Sequence, residues 1–472
     1  MTVIASLIFL VNPLLCILLL YFSIVNAKDI SEPNRFKFRL LRRYWKETIV
    51  STDRQEDMSL SCDEDRGQYS TRGNPTAKLR SFIPFFFVLS RPNSFCLQGK
   101  QSLRKWYNRN KITILACILC SIFVSLINMV KIPENDLVWY LESYKKAGEF
   151  SLWHFMLVGS DANMVESFKE PIYGAIVWLM HHLLCGNEFL FKFLLSLINY
   201  LFLTFSVVLF SKKLNIFPLW CIITGIYLMC FIPWIFTMSM QLLRQFLASS
   251  ILVFLLVRTS FYNKRDYLLI IVMVLIHSTA WLYVPFLLLP AFNKPFEKSR
   301  IWYVASIIGI LSIKILAKVV GSSGLFASSS LSYAIDRASS NTTFELGELS
   351  WIKILMIVII LVYSLYLPNI SRFRKIKGIH RFCFTLTVLC VFILVNMNEQ
   401  ELANRFLFYL FPFVPFLLMF LISELKINKL LVSLFTLSII VFFSIFLSIG
   451  TWKYDFYGSV WINPVFVYFL KL

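Results

Sequence analysis

Three clusters of polar residues interrupt an otherwise apolar chain of 472 residues. Asp136 and Glu170 bracket the first polar stretch. Gln241, Arg244 and Gln245 stand in MSMQLLRQFLASS, where i, i+3, i+4 spacing puts them on one helix face. Glu399, Glu401 and Arg405 stand at the mouth of a late apolar run, and His277 with Ser278 lies mid-way along LLIIVMVLIHSTAWLYVPFLLL. Ionisable groups at membrane depth are costly and are usually paired or functional. One positioned carboxylate can take the proton of a sugar hydroxyl. Planar guanidinium groups can hold a diphosphate through bidentate hydrogen bonds. Asp136 with Arg244 and Arg405 would therefore suffice for inverting transfer of a sugar from a diphosphate leaving group.

Each of these residues also has a plainer reading. Asp136, Tyr140 and Tyr144 are four residues apart, after Pro133 and Asn135, so they read as one face of a short helix that starts at the Asp. Asp136 would then be a helix cap and the tyrosines an interfacial anchor. Arg244 would snorkel to headgroups. Glu401 and Arg405 would form an interfacial salt bridge, and His277 would be a hydrogen-bonded core histidine. His181 and His182 read as interfacial.

The elements that must position these groups are membrane helices. The chain is 58% hydrophobic with only 15% charged residues and a mean hydropathy of +0.70. No water-soluble fold hides that much apolar surface in separate runs of spanning length. Its net charge of +20 belongs to cytoplasmic loops rather than to nucleic-acid binding. The ten cysteines lie mostly in apolar runs, and the Cys117–Cys120 pair lacks the partners of a zinc site. Neither disulfides nor a metal or cofactor is expected.

Residues 1–26 read as a retained N-terminal span, 27–111 as a basic cytoplasmic loop, 112–450 as a polytopic membrane catalytic domain and 451–472 as a tail. The loop holds eighteen Lys and Arg and one short apolar piece, SFIPFFFVL, which suits an interfacial position. Further spans are expected near 112–130, 188–210, 217–236, 240–257, 301–319, 351–367, 382–396, 406–423 and 429–449. If 171–186 crossed the membrane, Lys212, Lys213 and the loop RTSFYNKRD would face outward. A juxtamembrane or re-entrant helix keeps both inside. The loops flanking 267–290 are likewise both basic, which the segment satisfies by turning back near His277; a single span that violates the charge rule is the alternative. A Ser-rich outer loop over 320–350 and a basic inner loop over 368–381 complete the pattern. The fold class is all-α, a polytopic transmembrane bundle of about 10–12 spans.

This layout puts the polar clusters outside, where no nucleotide-sugars are available, so the donor would be lipid-linked. The order of D-x3-Y-x3-Y, EPIYGAIVWLMHHLLCGNEFLFK, MQLLRQFLASSILVFLL, IHSTAWLYVPFLLL and NRFLFYLFPF resembles the EpsG family of exopolysaccharide proteins and, more broadly, Wzy-type O-antigen polymerases, over residues 112–425. A looser likeness is to GT-C glycosyltransferases, which place an acidic residue after an early span and juxtamembrane helices in the first outer loop. The lead-in VKIPEND departs from the basic residue and glycine of many EpsG-like proteins. The resemblance implies Asp136 as the base, with Arg244 and Arg405 on the lipid diphosphate.

The expected function is joining polyprenyl-diphosphate-linked oligosaccharide repeat units into O-antigen or exopolysaccharide at the outer face of a bacterial inner membrane. Catalytic candidates are Asp136, Glu170 and His277. Substrate-binding candidates are Tyr140, Tyr144, Gln241, Arg244, Gln245, Glu401 and Arg405. The partners are the lipid-linked oligosaccharide and membrane lipids, with a chain-length regulator as a further candidate and no nucleic acid. The rival readings are a single-addition or ligating lipid-donor transferase and a flippase of lipid-linked glycan.

Overall fold

The computed structural model describes Tyr21 and residues 100–134, 136–157, 170–295, 301–309, 312, 348–397 and 400–449. The chain divides into two units, Met1–Asn26 with Lys111–Leu472, and Ala27–Asn110. The expected N-terminal span (Tyr21 apart), the SFIPFFFVL piece, most of the Ser-rich loop, Glu399 and the C-terminal tail lie outside the described residues, as does the expected span 301–319 beyond residue 309, Ser312 apart.

The described fold is helical throughout. In chain order come α1 (Lys100–Met129), α2 (Asp136–Lys146), α3 (Leu152–Leu157), α4 (Pro171–Leu183), α5 (Glu188–Leu214), α6 (Leu219–Phe231), α7 (Pro233–Gln241), α8 (Leu243–Tyr262) and α9 (Tyr267–Ile276). After a 3₁₀ turn follow α10 (Val284–Leu288), α11 (Glu348–Tyr366), α12 (Ile379–Val395), α13 (Gln400–Leu410), α14 (Val414–Leu425) and α15 (Lys429–Ile449). Their ends follow local chemistry. Pro171 and Pro233 open α4 and α7, where a missing N–H costs nothing. Asn187 caps α5 by accepting from the Leu190 N–H at 3.1 Å. Asn215 and Asn263 close α5 and α8 in the left-handed conformation.

Among the described residues, five helical segments are long and apolar enough to cross a membrane: Lys111–Met129, Glu188–Leu214, Leu243–Tyr262, Trp351–Asn369 and Ala403–Leu425. The pair α6–α7, bent by 46° at Ile232–Pro233, makes a sixth. The protein is therefore a multi-pass helical membrane protein. Among the described residues several of the apolar runs are broken or short, and the expected spans at 1–26 and 301–319 lie largely outside them. Small polar groups hold the spans together where hydrocarbon offers no competing partner. Ser121 meets Thr204 at 3.2 Å, and Asn128 donates to Ser196 at 2.7 Å and Ser239 at 2.8 Å.

Two ends of the bundle differ in character. At one, Tyr262 donates to the Leu209 carbonyl at 2.8 Å and Lys213 lies over the Tyr262 ring, so the loop after α5 and the loop after α8 are neighbours. The loop before α12 joins them: Gly378, at φ +90°, packs so closely that a Cβ there would lie 1.8 Å from the Ser260 carbonyl oxygen. Three basic loops thus gather at one end, as the charge pattern requires of a single membrane face.

The segment 267–290 begins and ends there. Arg258 and Asp266 pair through two hydrogen bonds at the start of α9. Ten residues later the helix stops at His277, whose φ of −153° and ψ of 123° are extended. The chain then comes back, and buried Arg381, two residues into α12, donates to the carbonyls of Leu287 at 3.1 Å and Leu289 at 2.6 Å. α9 is about 15 Å long, half the hydrocarbon thickness, and the segment folds back as a hairpin with His277 at its tip. α4, at about 20 Å, is also too short to span.

Candidate functional site

Interrupted helices expose backbone groups that need polar partners. Two interruptions meet at the end of the bundle opposite the basic loops. At Leu242, with φ −111° and ψ 60°, the chain turns from α7 into α8 and places Arg244 in the first turn of a new helix. At His277 the hairpin tip frees the N–H of Ser278. Glu170 answers both. It occupies the N-cap position of α4, yet its side chain makes no cap hydrogen bond. The carboxylate turns inward instead.

Its Oε2 accepts from Arg244 Nη1 at 2.8 Å. Its Oε1 accepts from the Ser278 N–H at 3.2 Å and contacts His277 Nδ1 at 2.5 Å. Burial pushes the Glu170 carboxyl up, but the Arg244 charge, the His277 hydrogen bond and the Ser278 N–H outweigh it and hold it below the usual carboxylate range. An ionised carboxylate only accepts, so His277 Nδ1 carries the proton of that contact. The other ring nitrogen, Nε2, is buried without a hydrogen-bond partner.

Tyr140, one turn along α2 from Asp136, completes the setting of Arg244. The guanidinium donates from Nε to the Tyr140 hydroxyl at 3.3 Å, with its carbon 5.4 Å from the ring centroid. Arg244 remains 29% exposed along its side chain, against 5% for Glu170. The guanidinium is gripped by Glu170 and Tyr140 while part of the side chain stays exposed. Asp136 is exposed and makes no hydrogen bond or ion pair among the described residues. Gln245 donates from Nε2 to the Arg405 carbonyl, which seats the middle of α13 against the start of α8.

The EpsG family model matches residues 103–463. The chain belongs to the EpsG family. No curated protein and no solved structure matches it. As an EpsG-family protein it is a multi-pass membrane protein of the polysaccharide-polymerase type.

Within this EpsG protein, Glu170, His277, Arg244 and Tyr140 are in contact, Gln245 and Arg405 adjoin through the backbone, and Asp136 stands one helical turn away. Gln241, at the end of α7, has a buried Nε2 with no hydrogen-bond partner. Tyr144 is elsewhere. Its hydroxyl donates to the Asn187 carbonyl at 3.3 Å, its ring stacks on Phe191 at 4.2 Å, and its own carbonyl contacts His181 Nδ1 at 2.7 Å. It braces α2 against the α4–α5 joint. Glu401 lies in α13, and its side chain is outside the described residues. No group of three metal-ligating side chains occurs among the described residues.

The fold also brings in residues that the spacing argument passed over. Tyr173 packs edge-on to Tyr140 at 5.9 Å. Thr279 and Tyr409 hydrogen-bond at 3.0 Å, and Tyr283 lies 4.9 Å from Tyr409. Tyr173 could have been found as the residue one turn after Glu170. Nothing local in the sequence marks Tyr409.

Proposed function

We propose that this protein is a glycosyltransferase that joins polyprenyl-diphosphate-linked oligosaccharide repeat units into O-antigen or exopolysaccharide at the outer face of a bacterial inner membrane. The observation that carries the reading is the arginine held at a helix break. Glu170 and Tyr140 fix Arg244 and leave part of its side chain exposed. A fixed, partly open cation is what a departing diphosphate needs, since it stabilises developing charge without reorganising.

The acceptor hydroxyl oxygen attacks the anomeric carbon of the donor, and the carbon–oxygen bond to the diphosphate breaks with inversion. The leaving diphosphate takes the electron pair and is held by Arg244, with Arg405 as the second guanidinium. The hydroxyl proton goes to Asp136, the free carboxylate. Glu170 is unsuited to that role, because its oxygens are already occupied and its affinity for a proton is lowered. We assign Glu170 and His277 to positioning: Glu170 sets Arg244, and His277 sets Glu170. Among the described residues the buried cations Lys192 and Arg381 are tied to backbone carbonyls and Lys131 pairs with Glu134, so they form no charged path across the bundle, which counts against a flippase.

The test is complementation of a polymerase-deficient host of the same strain by wild type, Asp136→Asn and Arg244→Ala, read as the polysaccharide ladder at matched protein levels. Wild type is expected to restore the ladder and both variants to leave single repeat units. A wild type that attaches one finished glycan without a ladder would replace polymerisation by ligation. No restoration by wild type would refute the reading.

A further inference from the structure

Tyr173 lies in the third position of α4, 2% exposed, and its hydroxyl is buried with no hydrogen-bond partner. It shares its electrostatic surroundings with Tyr140, Arg244 and Glu170. The Gln241 Nε2 amide, three residues before Arg244, is buried and equally unpartnered. Buried polar groups without partners destabilise a fold, and a phenylalanine or methionine of similar shape would remove the penalty. Tyr173 shares its surroundings with the Arg244 guanidinium and Gln241 stands three residues before Arg244 at the helix break, and neither unpaired group has a structural explanation among the described residues.

Their chemistry agrees with that of the guanidinium. Burial pushes the Tyr173 hydroxyl well above its ordinary pKa, so it stays protonated and can donate. The Gln241 NH₂ is a donor by nature. Both therefore lack an acceptor, as an oxyanion ligand would supply.

We infer that Tyr173 and Gln241 are further diphosphate-binding residues, donating from the Tyr173 hydroxyl and the Gln241 side-chain amide to phosphate oxygens of the lipid-linked substrate held by Arg244. This deepens the proposed function and rests on its reading of Arg244 as the diphosphate ligand. The unpaired donors of the free protein are preorganised for the bound state, which is why a tyrosine stands where phenylalanine would be the more stable choice.

The experiment uses the full chain in lipid nanodiscs and a long-chain polyprenyl diphosphate, with the corresponding polyprenol as the control. Affinity and Tm are measured for wild type, Tyr173→Phe and Gln241→Met. The expected result is binding of the diphosphate over the polyprenol by wild type, and binding roughly tenfold weaker in each variant, the scale of one lost hydrogen bond to a charged group. Tm should hold or rise in both. Equal affinity in the variants overturns the inference while leaving the proposed function standing. A weaker affinity accompanied by a lower Tm also overturns it, because the groups would then be supporting the fold. Wild type that does not prefer the diphosphate removes the reading of Arg244 and this inference together.

Discussion

Arg244 and Arg381 are both arginines inside a membrane bundle, and the protein treats them differently. Arg381 is wholly buried and spends two of its nitrogens on the carbonyls of Leu287 and Leu289, the returning limb of the hairpin. Arg244 faces a carboxylate, touches a tyrosine and stays partly exposed. A cation tied to backbone carbonyls through both terminal nitrogens, even with its Nε buried and unpartnered among the described residues, is bound to one geometry and has a structural task. A cation balanced by a side chain, with part of its surface open, can exchange partners. The difference separates a latch from the proposed ligand site without reference to sequence position.

The comparison can be broken most forcefully at Arg244. Arg244→Ala leaves Glu170 as a buried, uncompensated carboxylate and should cost about 3–5 kcal/mol of stability. Adding Glu170→Gln should recover most of that Tm loss and none of the ladder, measured on purified protein and in the complemented host. If the double variant is as unstable as the single one, Glu170 is not the counter-ion. Arg381→Met should cost about 1–3 kcal/mol for each carbonyl left unpaired. No single second substitution can repair it, because both partners are main chain. A scan of Tm and solubilised yield over position 381 and its neighbours tests this, and a full rescue by any one side chain would contradict it.

The smallest effect is the dependence on acid. The carboxyl of Glu170 lies below its ordinary range in the folded protein, so its contribution is present above the unfolded-state value of roughly 4.3 and is lost as pH falls through the folded one. Wild type should lose Tm on the acid side of that value faster than Glu170→Gln does. Parallel curves would mean that the Glu170 contacts contribute nothing to stability.

Much of the fold is written in runs and loop charges. The basic loops after α5, after α8 and before α12 do lie at one end, and 171–186 and 267–290, which the positive-inside rule turned back, are a short helix and a hairpin. Composition could not count the full spans, since an apolar run looks the same whether its helix continues or breaks at Leu242 or His277. The site was legible residue by residue but not as a set of contacts. Arg244, Glu170 and His277 each stand out as ionisable groups in apolar surroundings. That Glu170 joins the other two depends on where two helix breaks meet, 74 and 107 residues away along the chain. Tyr173 is one of twenty tyrosines, and its unpartnered hydroxyl, a feature it shares with Tyr283 among the described residues, has no local signature in the sequence.

The latch also sets a clock on synthesis. Leu287 is made 94 residues before Arg381, the residue that ties it down. At roughly 5–20 residues per second, the hairpin waits about 5–20 seconds with its returning limb unsecured. Throughout that interval His277 has no fixed height in the bundle, and Glu170, made earlier still, has no lasting hold on it. The proposed site is therefore incomplete until most of the chain has emerged, and the later helices finish an arrangement whose first residues were made long before.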